Sequence, residues 1–220
     1  MKYLTTWLFV FSMCSVAADL KNGDFASEEY LQTLTSTRSP AKAAKSRMPQ
    51  LIIIRVDTGG TTLKTIYEFN EGGPVFKIGK SGFLNLVEGV GSHPEFHGID
   101  STHFAFSFDG HSKTNFRSVV DVQSFAEKTC LEGRYVGTKN ERVEFSDQKE
   151  FIFNASKRKF TIGLFYPPSF ELDYFISDST EYGFSRKGDT LKIYEVTDGS
   201  LFVDGKMSRV PTMILIRKKE

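Results

Sequence analysis

Cysteine and tryptophan are scarce in this sequence, and neither sign of charge dominates. Its 220 residues include two cysteines and one tryptophan, and the formal net charge is +1. Cys14 and Trp7 both fall within residues 1–18, so Cys130 is the single cysteine of the remaining chain and has no disulfide partner there. A lone cysteine of this kind is expected to be buried. The balanced charge and the absence of a basic cluster argue against nucleic acid as a partner.

Residues 1–18 have the pattern of a secretory signal peptide. Lys2 supplies the positive start, residues 4–11 supply a short apolar core, and the small residues up to Ala17 and Ala18 supply a cleavage site. The apolar core is too short to span a bilayer. The residues before Cys14 match a bacterial lipobox poorly, which disfavours a lipoprotein. We therefore expect cleavage near Ala17 or Ala18 and a protein of the periplasm or the extracellular space, without a membrane span.

Residues 19–49 indicate short helices. Ser27 precedes Glu28 and Glu29, an order typical of a helix N-cap followed by acidic residues in the first turn. Pro40 suits the first position of a second helix. The chain thus divides into a signal peptide (1–18), a short helical or linker segment (19–49), an N-terminal β region (50–125) and a C-terminal β-barrel region (126–220).

From residue 51 onward the sequence predicts β-strands. Phe104, Phe106 and Phe108 alternate with smaller or more polar residues, and Asp109-Gly110 predicts a hairpin that brings Phe116 across from them. Short apolar runs separated by turn residues continue through the second half. The strands predicted there are Gly133–Val136, Val143–Phe145, Glu150–Phe153, Phe160–Leu164, Leu172–Ile176, Tyr182–Ser185, Leu191–Val196, Leu201–Val203 and Met213–Arg217.

The segment from Leu131 to Tyr135 places a short helical turn before a Gly-x-Tyr motif at the start of a strand. It resembles the Gly-x-Trp opening of lipocalins and related calycin barrels, with Tyr135 in place of the tryptophan. Leu191–Tyr194 and Met213–Arg217 are similar to the last strands of bacterial lipocalin-like envelope domains. Over residues 130–220 this resemblance implies an up-and-down antiparallel barrel with room for a small apolar ligand. The expected fold is therefore all-β and mainly antiparallel: a lipocalin-like barrel with additional N-terminal β-strands and short N-terminal helices.

Aromatic side chains on the predicted inner faces of the strands are the candidate ligand contacts. They are Phe104, Phe106, Phe108, Tyr135, Phe151, Phe153 and Tyr174. An eight-stranded barrel is just wide enough for its own side chains or for one small ligand. The alternative is therefore that the same residues fill a closed core.

The histidines form the clearest polar cluster in the sequence. All of them, His93, His97, His103 and His111, fall within residues 93–111. Neutral imidazoles are ligands for zinc and copper, so this cluster is a candidate metal site. The proline and glycine among them favour the alternative of a polar loop.

The sequence contains no motif of a familiar enzyme class. It has no nucleophile elbow, no phosphate-binding loop and no dinucleotide fingerprint, so we predict no catalysis and no cofactor. The leading hypothesis is a secreted or periplasmic protein that binds a small apolar ligand in a β-barrel. The alternatives are an envelope protein–protein interaction module without a cavity, whose partner the sequence does not identify, and a metal-binding protein that uses the histidine cluster.

Overall fold

A computed structural model describes most of the chain after the predicted signal peptide. The described residues are 20–45, 51–57, 62–67, 72–78, 84–88, 95–98, 100–107, 113–164, 172–198, 206–208 and 210–218. The predicted signal peptide, the predicted strand Leu201–Val203 and the predicted turn Asp109-Gly110 lie outside these residues. Within them the chain is mainly antiparallel β-sheet with a few short helices, which confirms the predicted fold class.

Helical structure among the described residues occurs at two places in the chain, after the first strand and before the second sheet. The helices are α1 (Glu28–Thr37), α2 (Pro40–Lys45) and α3 (Val122–Cys130). The strands of the first sheet are β1 (Gly23–Ser27), β2 (Leu51–Asp57), β3 (Thr62–Tyr67), β4 (Gly72–Ile78), β5 (Leu84–Glu88), β6 (Glu95–Gly98), β7 (His103–Ser107) and β8 (Thr114–Val119). The strands of the second sheet are β9 (Gly133–Gly137), β10 (Arg142–Phe145), β11 (Glu150–Phe153), β12 (Ser156–Ile162), β13 (Asp173–Ser177), β14 (Thr180–Lys187), β15 (Thr190–Asp198), β16 (Lys206–Met207) and β17 (Met213–Arg217).

The second sheet closes into an eight-stranded antiparallel barrel. Strands β9 to β15 each pair with the next strand in the chain, and β17 completes the ring by pairing with both β15 and β9. The short strand β16 pairs with β15 outside this ring. The barrel therefore has the up-and-down order that the lipocalin resemblance implied for residues 130–220.

The first sheet has β1 at its centre. Its strand order is β5-β4-β3-β2-β1-β8-β7-β6, so two antiparallel meanders flank β1. In β1, Phe25 lies opposite Ile54 on one side and Ser118 on the other. The sequence indicated only helices in this segment. A five-residue strand that mixes Asp24 and Ser27 with apolar residues shows no clear alternation, and pairing on both sides is what fixes it.

The first sheet is strongly curved. The ring centroids of Phe76 in β4 and Phe106 in β7 lie 6.2 Å apart. These strands are five steps apart in the sheet order. A flat sheet would separate them by about 24 Å at the usual strand spacing. The sheet therefore folds back on itself around a phenylalanine core. Within that core Phe104 stacks on Phe116 at 5.4 Å, the partner that the sequence predicted for it.

A layer of helices joins the two sheets. Helix α1 begins after Ser27, whose Oγ accepts a hydrogen bond of 3.4 Å from the Tyr30 amide, as the sequence predicted. Its buried face, which includes Leu34, belongs to one hydrophobic cluster with Ala26 and Ile53 of the first sheet and with the barrel core. The two sheets and the helices thus share packing. None of the helices in the described residues has the length and apolar character needed to cross a membrane.

Candidate functional site

Aromatic rings fill the middle of the barrel. Phe145 is the centre of this group, with ring centroids at 5.1 Å from Phe151, 5.2 Å from Phe160 and 5.4 Å from Phe175. All four side chains are buried. Most of these pairs are edge-on, the arrangement that the ring quadrupoles favour. The barrel centre is therefore a packed core.

One end of the barrel is closed by α3. The Arg186 guanidinium donates to the Cys130 carbonyl oxygen at the end of α3, and its Cζ lies 5.8 Å from the ring centroid of Tyr135. The Tyr135 hydroxyl donates to the Leu131 carbonyl oxygen at 2.7 Å. The side-chain amide of Gln123 donates to the Ile162 carbonyl oxygen at 2.6 Å. These bonds tie the helix to three strands, so no ligand enters here without displacing α3.

The opposite end of the barrel carries half-buried apolar side chains. Phe153 is the last residue of β11, and its ring lies 6.5 Å from that of Phe151. Tyr182 stacks on Phe175 at 5.0 Å. Met213 is the first residue of β17 and packs against the same core. We call the half-buried residues Phe153, Tyr182 and Met213 the mouth of the barrel.

A buried hydroxyl lies beside the mouth. Ser177 has no solvent exposure, and its Oγ has no hydrogen-bond partner among the described residues. Alternation along β13 places Ser177 on the same inner face as Phe175. It is the last residue of the strand and lies opposite Phe160 in β12 and Thr180 in β14, two residues before Tyr182. A buried polar atom without a partner costs free energy, and in native proteins it calls for an explanation such as a water molecule or a ligand.

The predicted ligand contacts lie in two separate cores. Tyr135, Phe151 and Phe153 contribute to the barrel. Phe104 and Phe106 lie instead in the core of the first sheet, and Phe108 is outside the described residues. The described members of the set therefore divide between the two cores.

The predicted contact Tyr174 is also buried in the cluster that includes the barrel core. Its ring packs against Gly163, where a side chain would collide with it, while Phe175 joins the rings of the barrel interior. Sequence reasoning missed Phe145, Ser177 and Tyr182. A period of two in β13 could have found Ser177 once Phe175 was known to face inward.

The histidines are only partly placed. The backbone of His97 in β6 lies opposite Ala105, and that of His103 in β7 lies opposite Arg117. The His103 Nδ1 lies 3.3 Å from a carboxylate oxygen of Asp100. Hydrogen bonds from the hydroxyl and the amide of Thr102 and from His103 lower the pKa of Asp100 to about 2. This contact orders a turn.

The metal site stays a prediction. The candidate ligands His93 and His111 lie outside the described residues. Over the part of the chain that the structure does describe, no three His, Cys, Asp or Glu side chains come together as metal ligands would.

No protein-family model, curated protein or solved structure matches this chain. The argument for function therefore depends on the geometry of the barrel.

Proposed function

We propose that this protein is a non-catalytic, extracytoplasmic binding protein that holds a small apolar ligand at the mouth of its barrel. The observation that supports this most directly is the buried Ser177 hydroxyl, which has no partner among the described residues and lies at the same end of the barrel as Phe153 and Tyr182. The signal-peptide pattern of residues 1–18 supports a location outside the cytoplasm.

The ligand class follows from the chemistry of the mouth. Phe153, Tyr182 and Met213 offer apolar surface, whose burial contributes about 25 cal/mol per Å2 before ordering costs. A ligand that also carries one polar atom would satisfy Ser177, a hydrogen bond worth about 1 kcal/mol. Because rings fill the barrel centre, the ligand lies shallow. Because Ser177 is fully buried, the ligand reaches it by displacing a neighbouring side chain such as Tyr182, two residues from the Ser177 partner Thr180.

Native mass spectrometry tests this proposal. The protein would be expressed with residues 1–18 in place, purified from its extracytoplasmic compartment without chelator, and compared with Ser177→Ala. We expect an added mass of a small organic molecule on the wild type and a lower fraction of ligand-bound protein for Ser177→Ala, because a hydrogen bond of about 1 kcal/mol changes the Kd about fivefold. Stability should stay equal or rise in the variant, because the substitution removes an unsatisfied buried hydroxyl. Ser185→Ala is the matched control, since Ser185 is half-buried on the same barrel and contacts the Tyr194 hydroxyl at 3.4 Å.

Other measured masses would contradict the proposed function or support one of the two alternatives. A bare wild-type mass, or equal retention of the ligand by Ser177→Ala, contradicts the proposal. An added mass of one zinc or copper ion would instead support the histidine cluster, and a co-purifying protein would support the interaction module.

A further inference from the structure

The outer wall of the barrel carries a pocket that is separate from the mouth. Tyr135 of β9 and Val143 of β10 point their side chains into the core, so their neighbours Arg134, Arg142 and Glu144 project outward. Together with residues of β11 and the end of β17 they line a pocket of about 410 Å3. This volume falls within the range of small-molecule sites, about 300–1,000 Å3.

The floor of this outer-wall pocket is apolar. Val136 and Ile152 are half-buried on the outer faces of β9 and β11 and line the pocket. Ile152 lies opposite Glu144 in the neighbouring strand, and Val136 lies opposite Arg142. Two branched aliphatic side chains thus lie between charged ones, which gives an apolar body a place to pack.

The rim of the pocket has an excess of positive charge. Arg134 Nε lies 3.3 Å from Glu144 Oε2, so these two charges offset each other. The side chains of Arg142 and Lys218 also line the pocket, and neither has an ion-pair partner among the described residues. Both are exposed. Arg142 lies opposite Val136 of β9, and the Lys218 amide donates to the carbonyl oxygen of Arg134 in the same strand at 2.8 Å, so both reach this pocket although they are distant in sequence.

We propose that the outer-wall pocket binds a small amphiphilic anion, a free molecule with one carboxylate, sulfonate or phosphate group. The anionic group contacts Arg142 and Lys218, and the apolar body packs on Val136 and Ile152. A guanidinium provides a planar pair of donors that suits such oxyanions. The site lies on the outside of the barrel wall, so it is independent of the ligand proposed for the mouth.

Two fluorescent probes that differ mainly in charge test this site. Anilinonaphthalene sulfonate carries the anionic group, and N-phenylnaphthylamine is a neutral relative with the same ring system. We expect the sulfonate to bind more tightly and its affinity to fall with added salt, because the rim charges are exposed to screening. Arg142→Gln should weaken the sulfonate by about fivefold, the upper range for one exposed ion pair, and leave the neutral probe unchanged.

Matched variants separate this pocket from general attraction. Arg117→Gln removes the same charge from an exposed position in the first sheet and should leave sulfonate binding unchanged. Ile152→Asn should weaken binding by removing part of the apolar floor, and Ser177→Ala should not affect it. Equal affinity for the two probes, or equal effects of Arg142→Gln and Arg117→Gln, would overturn the proposal whatever happens at the mouth.

Discussion

At the scale of single residues, a close approach between Gly163 and Tyr174 positions β12 and β13. A Cβ on Gly163 would collide with the Tyr174 ring, and the Gly163 amide donates to the Tyr174 carbonyl oxygen at 2.9 Å. Burial of that ring raises the pKa of the Tyr174 hydroxyl to about 12. The Tyr174 ring occupies the space that a side chain at position 163 would need. The next residue, Phe175, faces the barrel interior.

Gly163→Ala should therefore destabilise the protein by about 1–3 kcal/mol, the usual cost of forcing extra volume into a packed site. A lower midpoint of urea unfolding, measured by circular dichroism, would show this. Gly188→Asn is the control, because Gly188 lies in a turn at φ +59° with nothing within 4 Å of an added Cβ. Equal midpoints for Gly163→Ala and the wild type would mean that the Tyr174 ring moves away at little cost.

Cys130 should be chemically inert in the folded protein. It is fully buried in the shared hydrophobic cluster, and this burial raises its pKa well above the usual range for a thiol. At neutral pH the group is therefore a protonated thiol, which is a poor nucleophile. We expect the chain without residues 1–18 to react with Ellman's reagent only after unfolding in guanidinium. Rapid reaction under native conditions would show that α3 opens readily.

At the scale of elements, α3 depends on its N-cap, Asp121. The Asp121 carboxylate accepts hydrogen bonds from the Gln123 amide at 3.2 Å and the Ser124 amide at 3.0 Å. Partial burial opposes its ionisation, but the bonds from Ser124 and the charge of Lys149 outweigh that effect and lower its pKa. A lowered pKa in the folded state means that the ionised cap stabilises the fold above the unfolded pKa of about 3.9. That stability is lost as pH falls through the folded pKa.

Replacing the cap should change both stability and its dependence on pH. Asp121→Ala should cost about 1 kcal/mol at neutral pH, the typical value for an N-cap. Asp121→Asn keeps an acceptor but not the charge, so the loss of stability on acidification should be smaller than in the wild type. Denaturant titrations at several pH values measure both, with Asp147→Asn as the control at an exposed turn position. An unchanged acid dependence in Asp121→Asn would show that other carboxylates determine it.

Elements with a strong local pattern could be predicted from the sequence, and those that depend on distant partners could not. Alternation predicted which side chains of β7 and β8 share a face, and the observed register places Phe104 opposite Phe116. The strand β1 has no such pattern in its sequence. Pairing with β2 and β8 fixes its position instead. In β13 both faces carry apolar residues, so alternation alone does not decide which side chains face inward. The prediction from sequence placed Tyr174 on the inner face. The contact with Gly163, eleven residues earlier in the chain, decides the phase.

The candidate sites show the same limit at the scale of the whole molecule. The mouth brings together residues near the ends of β11, β14 and β17, and the outer-wall pocket has both Arg142 and Lys218 in its lining. Neither grouping is visible in the linear sequence, because both depend on where the barrel closes. The aromatic residues alone left open whether they line a ligand cavity or fill a closed core, and their ring contacts fill the barrel centre.

The shared helical layer leads to a prediction about cooperativity. Leu34 of α1 is fully buried in the cluster that joins Ala26 and Ile53 of the first sheet to the barrel core. Leu34→Ala should cost about 2–5 kcal/mol, as for other buried leucines. Since the cavity lies between the two sheets, the lost free energy should appear in both. Leu86→Ala, at a position that is 44% exposed in β5, should have little effect.

Hydrogen exchange measured by mass spectrometry can distinguish shared from separate unfolding. Amide hydrogens in the core strands of a stable sheet exchange with solvent only when the whole sheet unfolds. We use those of β8 to report on the first sheet and those of β14 to report on the barrel. In Leu34→Ala we expect the protection factors of the β8 and β14 amides to fall by similar factors, because the helical layer couples the two sheets into one cooperative unit. Loss of protection in β8 alone, with β14 unchanged, would show that the first sheet unfolds independently and that the shared cluster transmits little free energy to the barrel.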